Sequence, residues 1–192
     1  TLNDVMNSTQ IAPVTNLLEC ARRADGGAAV IVASTGYVKN VAQTKPEYDV
    51  MILGGGEASG PLYPPNDPMD INESMFSCEE AATIAYRESN LKCDDIDWFG
   101  LYDCFPITLL RAIEAVGLCK EGYGGQYIET FYNELIRNKT LNANTFPINT
   151  HGGLLMFGAP WEVPAMYSIL EAVDQISKKA GSRQVDGCRR AL

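Results

Sequence analysis

The stretch that decides the fold is "YDCFPITLLRAIEAVGLCKEGYGG", residues 102–125. After its first residues the apolar spacing predicts a helix over about Pro106–Val116, ended by Gly117. The residues directly before the stretch, Ile96–Leu101, predict a short strand. The polar pair Tyr102–Asp103 therefore lies at the junction between a strand and a helix.

Toward the N-terminus, two continuous apolar runs predict strands that are buried on both faces. The first is residues 28–33, "AAVIVA", and the second is Val50–Leu53, which is followed by three glycines. Apolar spacing at Leu17, Leu18 and Ala21 predicts a helix before the first run, and residues 36–45 predict a short helix or a loop.

Toward the C-terminus, residues 60–70 carry four prolines and predict an irregular surface excursion. A helix is predicted over residues 72–91, with Asn72 or Ser74 as its cap. The glycine-rich "KEGYGGQYIET" predicts a loop, and residues 163–178 predict another helix. Alternating strands and helices indicate an α/β fold with a mostly parallel or mixed sheet.

Composition narrows the class of function. The formal net charge is −9, which argues against binding to a nucleic-acid backbone because no basic face is available. No apolar run approaches the roughly 18 residues that span a bilayer, and residues 1–10 lack the pattern of a secretion signal. The six cysteines form no CxxC pair, so we expect reduced, buried thiols and a cytoplasmic protein.

A second informative stretch, "NTHGGLLMFGAPWE" at residues 149–162, contains His151, which is the single histidine of the chain. Histidine is the side chain that titrates near neutral pH without help. Glycine pairs allow positive φ angles and close backbone approach. The loop is therefore either a catalytic site, a cofactor cradle or a turn.

Three stretches together resemble the thiolase superfamily, and within it the sterol-carrier and lipid-transfer branch. They are "ADGGAAVIVAS", the "YDCF…VGLCKEGYGG" stretch, and "PINTHGGLLMFGAP". The resemblance runs from about residue 11 to residue 192. It implies a layered αβαβα fold of two similar halves, of which this chain covers a part. Residues 1–45 would end the N-terminal half, and residues 46–192 would form a C-terminal half that is incomplete at its end.

The resemblance also implies where chemistry takes place. Thiolases carry an acyl group on a cysteine that would lie upstream of this chain, and they use donors for the thioester oxyanion. Tyr102 stands where the family has one donor, and Ala159 stands where it has the histidine of "GHP". A Cys-x-Gly motif is also missing from the final "GCRRAL". In having a tyrosine before this turn, the chain resembles thiolase-like retro-aldolases, which work without a nucleophilic cysteine.

From these matches we expect Tyr102 to move a proton, provided that the site depresses its pKa. Asp103 is expected to orient its neighbours or cap a helix, and His151 to donate to an oxyanion or replace the missing histidine. Acyl-CoA binding is expected from Gly152, Gly153, Phe157 and Gly158. For the glycines a purely conformational role stays open, as does packing in the core for Phe157. Trp161 is expected to line an acyl pocket, contact a partner or pack.

The expected activity is carbon–carbon bond cleavage or formation on a coenzyme A thioester by a thiolase-like acyltransferase. The alternatives are a retro-aldolase acting on a hydroxyacyl-CoA and a non-catalytic subunit that binds acyl-CoA or lipid. No metal is expected in this chain. The resemblance implies a homodimer or higher oligomer, and a small zinc-ribbon and oligonucleotide-fold partner that contributes to the acyl-CoA site. Residues 60–70 are a candidate contact for that partner.

Overall fold

The computed structural model describes residues 1–42, 50–61, 63, 76–138 and 142–192. Within these ranges the chain forms helices and one two-stranded antiparallel ribbon, β1 (Gln10–Ala12) with β2 (Thr15–Asn16). None of the described helices combines the length and the apolar character that crossing a membrane requires. The helices are α1 (Leu2–Met6), α2 (Thr35–Tyr37), α3 (Cys78–Ser89), α4 (Pro106–Ala115), α5 (Gly124–Asn138), α6 (Gly153–Phe157) and α7 (Val163–Ile176).

The helix predicted after Asp103 is confirmed as α4. Proline occupies its first turn, where no backbone donor is needed, and Gly117 follows its end at φ +88°. The helix packs between α3 and α5. Its Ile113 is fully buried, which contributes about 1.5–3 kcal/mol relative to an exposed side chain. The main core contains Ala82, Phe99, Leu101, Ala112, Ile113, Val116 and Ile148.

The predicted strand over Ile96–Leu101 is present as a segment with parallel bridges to two others. On one edge, Phe99 exchanges backbone hydrogen bonds of 2.9 Å with Pro147 and Asn149. On the other edge, the Leu192 amide donates to this segment at 3.0 Å. These bonds fix the strand end that carries Tyr102 beside the start of the 149–158 loop.

A third backbone segment joins the two parts of the site. The Ala21 amide donates to the Cys104 carbonyl at 3.0 Å, and the Ala159 amide donates to the Arg22 carbonyl at 2.7 Å. Arg23 and Ala159 also form a parallel bridge. The N-terminal segment therefore lies against two parts of the site. One is residues 102–105, here called the Tyr102 turn, and the other is the end of the 149–158 loop.

The two predicted buried strands, residues 28–33 and Val50–Leu53, are wrong as elements of a sheet. Neither run pairs with another segment among the described residues, and their side chains are largely exposed, as for Ile31 at 95% and Ile52 at 76%. A doubly buried strand needs neighbouring strands and covering layers. The apolar composition of the two runs predicts such strands, but the described part of this chain supplies neither neighbouring strands nor covering layers for them.

Two other predictions are corrected. Leu17, Leu18 and Ala21 do not form a helix beyond a single 3₁₀ turn at Leu17–Glu19. The glycine-rich "KEGYGGQYIET" is only partly a loop, because α5 begins at Gly124. A Cβ at Gly124 would lie 2.9 Å from the Leu110 carbonyl oxygen, so this glycine permits close packing of α5 on α4.

Of the remaining predictions, some fall on residues that the structure describes and some do not. Helix α7 is confirmed, and α3 begins after Ser77, while the proposed caps Asn72 and Ser74 lie outside the described residues. The helix or loop of residues 36–45 is confirmed up to residue 42. Most of the 60–70 excursion and the boundary between residues 45 and 46 also lie outside. All six cysteines are free, and Cys188 alone among them is buried, which corrects the expectation of buried thiols.

Candidate active site

Tyr102 lies at the end of the bridged segment, and its side chain is 53% exposed. It lines a cavity of about 470 Å³ formed with the start of α3, one side of α4 and the loop that follows α4. Partial burial and the neighbouring Cys104 thiol raise the pKa of Tyr102 above its ordinary value. Glu162 and Asp103 act in the same direction. The site therefore does not provide the depressed pKa that was expected for this phenol.

Asp103 points away from solvent and is 4% exposed. Its Oδ1 accepts a 2.7 Å hydrogen bond from the Leu154 amide in the first turn of α6. Burial raises the pKa of Asp103, although the Leu154 and Leu155 amides and His151 favour the charged carboxylate. The carboxylate therefore fastens the Tyr102 turn to the start of α6, in keeping with the capping role expected for it.

Gly152 and Gly153 allow this contact. Both have positive φ angles, +108° and +61°. A Cβ added at Gly153 would lie 2.6 Å from the Cγ of Asp103, closer than real Cβ contacts come. The conformational role left open for Gly153 is therefore supported by its environment.

The neighbouring glycine amides are also used within the chain. The Gly152 amide donates to the Asn149 carbonyl at 2.7 Å, and the Gly158 amide donates to the Leu154 carbonyl at 2.8 Å. Gly158, at φ +90°, packs closely on Ala24. Contact of these amides with a pantetheine arm stays a prediction.

His151 is partly buried between two aromatic rings. Its ring centroid lies 6.2 Å from that of Trp98 and 6.0 Å from that of Phe157. Burial lowers the pKa of His151, and nearby Glu171 and Asp103 oppose this effect only in part. The imidazole is therefore uncharged near neutral pH. Its Nδ1 is buried without a hydrogen-bond partner among the described groups.

Asn149 joins the loop to the bridged segment, a contact that was not predicted from the sequence. Its side-chain Nδ2 donates to the Leu101 carbonyl at 2.7 Å, and its Oδ1 accepts from the Leu101 amide at 2.8 Å. The side chain thus continues the pairing of the bridged segment where the backbone turns away at φ +46°. The signal available in the sequence was an asparagine, a residue that tolerates the left-handed region, at the start of "NTHGG".

The far end of the loop is apolar and exposed. Phe157 is more than half exposed, with its ring centroid 6.3 Å from that of Tyr167, and Met156 is also exposed. Trp161 is 84% exposed and has a φ of +53°, a conformation that costs a bulky residue about 1–2 kcal/mol. The Ala159 amide donates to the Arg22 carbonyl, and the residue is partly buried. Of the two positions left open for the Phe157 side chain, the structure therefore favours the protein surface over the core.

The turn that carries Tyr102 and Asp103 lies against the loop that carries His151, and His151 is not among the described residues that line the cavity of Tyr102. Asp103 follows Tyr102 in the chain, contacts the loop that carries His151, and interacts electrostatically with the imidazole. Within the described ranges, no three His, Cys, Asp or Glu side chains are grouped so that they would hold a metal ion. The turn and the loop thus offer a phenol, an uncharged imidazole and an ordered carboxylate.

Comparison with known proteins defines the class. The family model described as "Thiolase C-terminal domain-like" matches residues 68–192, more than half of the chain. The chain therefore belongs to the thiolase superfamily, and the expected thiolase-like α/β fold, of which it covers a part, is confirmed.

The more particular likeness is to the sterol-carrier branch. The chain is 31% identical over 191 residues to sterol carrier protein 2 of Bos taurus, covering 100% of this chain and 34% of that protein. It is 32% identical over 187 residues to acetyl-CoA acetyltransferase of Methanothermobacter thermautotrophicus, covering 97% and 45%. The chain thus spans between a third and a half of these relatives.

A solved structure shows the same likeness in three dimensions. The structure described as "Ltp2-ChsH2(DUF35) aldolase" matches with a TM-score of 0.70 and 27% identity. The match covers 95% of this chain and 46% of that one.

Proposed function

We propose that this chain contributes to an enzyme that makes or breaks a carbon–carbon bond next to a coenzyme A thioester. The observation that carries the proposal is that side-chain hydrogen bonds join the 149–158 loop to the segment that ends in Tyr102 and Asp103. Asn149 ties the 149–158 loop to Leu101, and Asp103 ties the Tyr102 turn to Leu154. These bonds hold the turn that carries Tyr102 beside the loop that carries His151. A relative named as an acetyl-CoA acetyltransferase supports the substrate class.

Within this class, retro-aldol cleavage of a hydroxyacyl-CoA fits the site better than thiolysis. Ala159 stands where the thiolase family has the histidine of "GHP", whereas Tyr102 opens into a 470 Å³ cavity. In the cleavage, the substrate hydroxyl gives its proton to the Tyr102 phenolate as the carbon–carbon bond breaks. The bond's electron pair moves into the thioester, forming an enolate, while the hydroxyl carbon becomes a carbonyl. The enolate carbon then takes a proton from water, and the hydroxide that remains takes the proton from the Tyr102 phenol, which restores the phenolate.

His151 would stabilise the enolate oxygen. An imidazole that burial keeps neutral retains one N–H, and such a donor, aimed at developing negative charge, lowers the barrier by several kcal/mol. The acyltransferase alternative needs a cysteine that carries the acyl group. It is favoured by the name of the Methanothermobacter relative.

The test compares turnover of 3-hydroxyacyl-CoA and 3-ketoacyl-CoA substrates by the intact protein. Tyr102→Phe and His151→Ala should each lower kcat at least about a hundredfold while leaving coenzyme A binding within about twofold. Tyr132→Phe, at another partly exposed tyrosine on α5, is the matched control and should keep full activity. An acyl-cysteine found by mass spectrometry after exposure to 3-ketoacyl-CoA would instead support the acyltransferase.

The non-catalytic alternative rests on Ala159, since this substitution removes a donor that the family uses. It predicts acyl-CoA or lipid binding with no turnover of either substrate. Turnover that disappears in Tyr102→Phe while binding persists would exclude it.

We further propose an oligomer and a small acyl-CoA-binding partner of the zinc-ribbon and oligonucleotide-fold kind. The exposed Met156, Phe157 and Trp161 beside the site support a protein contact there, and the matching solved structure is described as "Ltp2-ChsH2(DUF35) aldolase". Residues 60–70 stay a candidate contact that lies mostly outside the described residues. Shortening that segment should abolish co-purification with the partner, and unchanged co-purification would contradict its role.

The same proposal assigns residues 1–45 to the N-terminal half and residues 46–192 to the C-terminal half of the thiolase fold, in a cytoplasmic protein. The family match to residues 68–192 supports the second assignment. Limited proteolysis with mass spectrometry would check the boundary, and cell fractionation would check the location.

A further inference from the structure

A buried polar cluster lies beneath the 149–158 loop and centres on the hydroxyl of Thr150. This hydroxyl donates to Glu171 Oε1 at 2.8 Å and accepts from the indole N–H of Trp98 at 2.8 Å. Gln175 also donates to it, at 3.1 Å. One hydroxyl therefore connects the bridged segment, the loop and α7.

Charge balance holds the cluster together. Glu171 is 4% exposed, so its carboxylate needs compensation. Arg183 supplies it through Nε at 3.2 Å and Nη2 at 2.9 Å, and Gln175 donates a further bond of 2.9 Å. Although burial alone would raise the pKa of Glu171, these bonds and the one from Thr150 hold it below its ordinary value. The carboxylate therefore stays charged and ordered at neutral pH.

The cluster reaches His151 by two routes. Thr150 is its neighbour in the chain, and the Trp98 ring, whose N–H is anchored on Thr150, lies 6.2 Å from the imidazole. The charged groups that act on the imidazole are Glu171 from α7, Asp103 from the Tyr102 turn, and Arg183 from the turn after α7. Of the three, Glu171 lies on an element, α7, that the Thr150 hydroxyl joins.

We propose that Thr150 and Glu171 are positioning residues for His151. Their hydrogen bond fixes the backbone before the imidazole and the indole beside it, so that the imidazole is held in one orientation without a hydrogen bond to its own Nδ1. This inference rests on the proposed function, in which His151 donates to a thioester enolate. Neither residue touches the reacting atoms.

Thr150→Val and Thr150→Ser provide the test. Valine matches threonine in shape but cannot donate to Glu171 or accept from Trp98, whereas serine can do both. We expect Thr150→Val to lower kcat about tenfold or more with little change in KM, and Thr150→Ser to remain within about threefold of wild type. The same loss of activity in both variants would overturn the proposal.

Nuclear magnetic resonance of His151 gives a readout that is independent of activity. Its ring signals in the intact protein are assigned by their loss in His151→Asn. Thr150→Val should move these signals and broaden them, while Thr150→Ser should leave them in place. Unchanged signals in Thr150→Val would show that the hydroxyl does not position the imidazole.

Glu171→Gln is a second variant, in case Thr150→Val folds poorly. It keeps an oxygen for the Arg183 fork and for Thr150 but removes the negative charge that favours protonated His151. The pH midpoint of the His151 signals should therefore fall, and an unchanged midpoint would contradict the proposal. If His151→Ala proves fully active, the proposed function fails, while these spectra still decide whether the cluster positions the ring.

Discussion

The carboxylate of Asp103 occupies the space that a side chain at position 153 would need. Its Oδ1 accepts the Leu154 amide at 2.7 Å, and a Cβ on Gly153 would lie 2.6 Å from its Cγ. The Tyr102 turn and the 149–158 loop can therefore approach this closely only with glycine at 153.

Gly153→Ala should destabilise both the fold and the site. The left-handed φ of +61° costs alanine about 1–2 kcal/mol, and the contact with Asp103 adds to this. We expect the free energy of unfolding in urea to fall by at least about 2 kcal/mol, with a parallel loss of activity. Gly27→Ala is the control, because an added Cβ there meets nothing within 4 Å. Equal stability of the two variants would contradict this account of Gly153.

Asn149 should show a graded response. Asn149→Ala removes both hydrogen bonds to Leu101 and should lower the free energy of unfolding by about 1–3 kcal/mol. Asn149→Asp keeps the acceptor for the Leu101 amide, but its ionised carboxylate has no donor for the Leu101 carbonyl. The loss of stability should therefore be smaller at pH 4 than at pH 7, because protonation of the carboxyl group supplies an O–H donor. Thermal or urea unfolding at pH 4 and pH 7 checks both. Alanine and aspartate variants of equal stability at pH 4 would contradict a role for the Leu101 amide bond.

The sequence allowed good prediction of elements that local pattern determines. Helix α4 follows from its apolar spacing and from Gly117, and α7 follows from its periodic apolar positions. The placement of Tyr102 at a strand end also follows, because an apolar run precedes it and a helix-forming run succeeds it.

Features that depend on distant contacts were not predictable in this way. Residues 28–33 have a strand's composition, but pairing requires partners that the described residues do not supply. Gly124 was predicted to lie in a loop. The structure instead uses this glycine for the close approach of α5 to Leu110, which belongs to a separate helix. The bonds from Asn149 to Leu101 join residues 48 apart in sequence, and no local pattern indicates them.

Stability should depend on pH through His151. Burial lowers the pKa of the folded imidazole below the ordinary value of 6.5, so the unfolded chain binds more protons at mildly acidic pH. The stability that neutral His151 provides is present above pH 6.5 and is lost as pH falls through the lowered value. Asp103 acts oppositely, because its raised pKa favours folding at low pH and loses that contribution as pH rises.

Urea unfolding of wild type and His151→Gln from pH 7 to pH 5 separates the two groups. The wild type should lose more stability than the variant over this range, because only the wild type has an imidazole to protonate. Parallel curves would show that His151 is solvated in the folded protein.

Activity should rise with pH through Tyr102. The proposed cleavage needs the phenolate, and partial burial with the Cys104 thiol raises the pKa of Tyr102 above its ordinary value of 10.0. The kcat/KM for hydroxyacyl-CoA cleavage should therefore increase about tenfold per pH unit at alkaline pH, up to the limit of protein stability. A plateau below pH 9 would show that another group accepts the proton.

Trp161 tests whether backbone strain is retained for a function. The residue is 84% exposed at φ +53°, so it gives up about 1–2 kcal/mol of backbone energy without burial of its ring in return. Trp161→Gly relieves this strain and should leave the free energy of unfolding unchanged or slightly higher, whereas Trp161→Phe keeps both the strain and an aromatic ring. We expect acyl-CoA affinity or partner binding, measured by calorimetry, to fall about tenfold in the glycine variant and to be largely retained with phenylalanine. If the glycine variant binds normally and unfolds more easily, the indole stabilises the folded chain and has no part in binding.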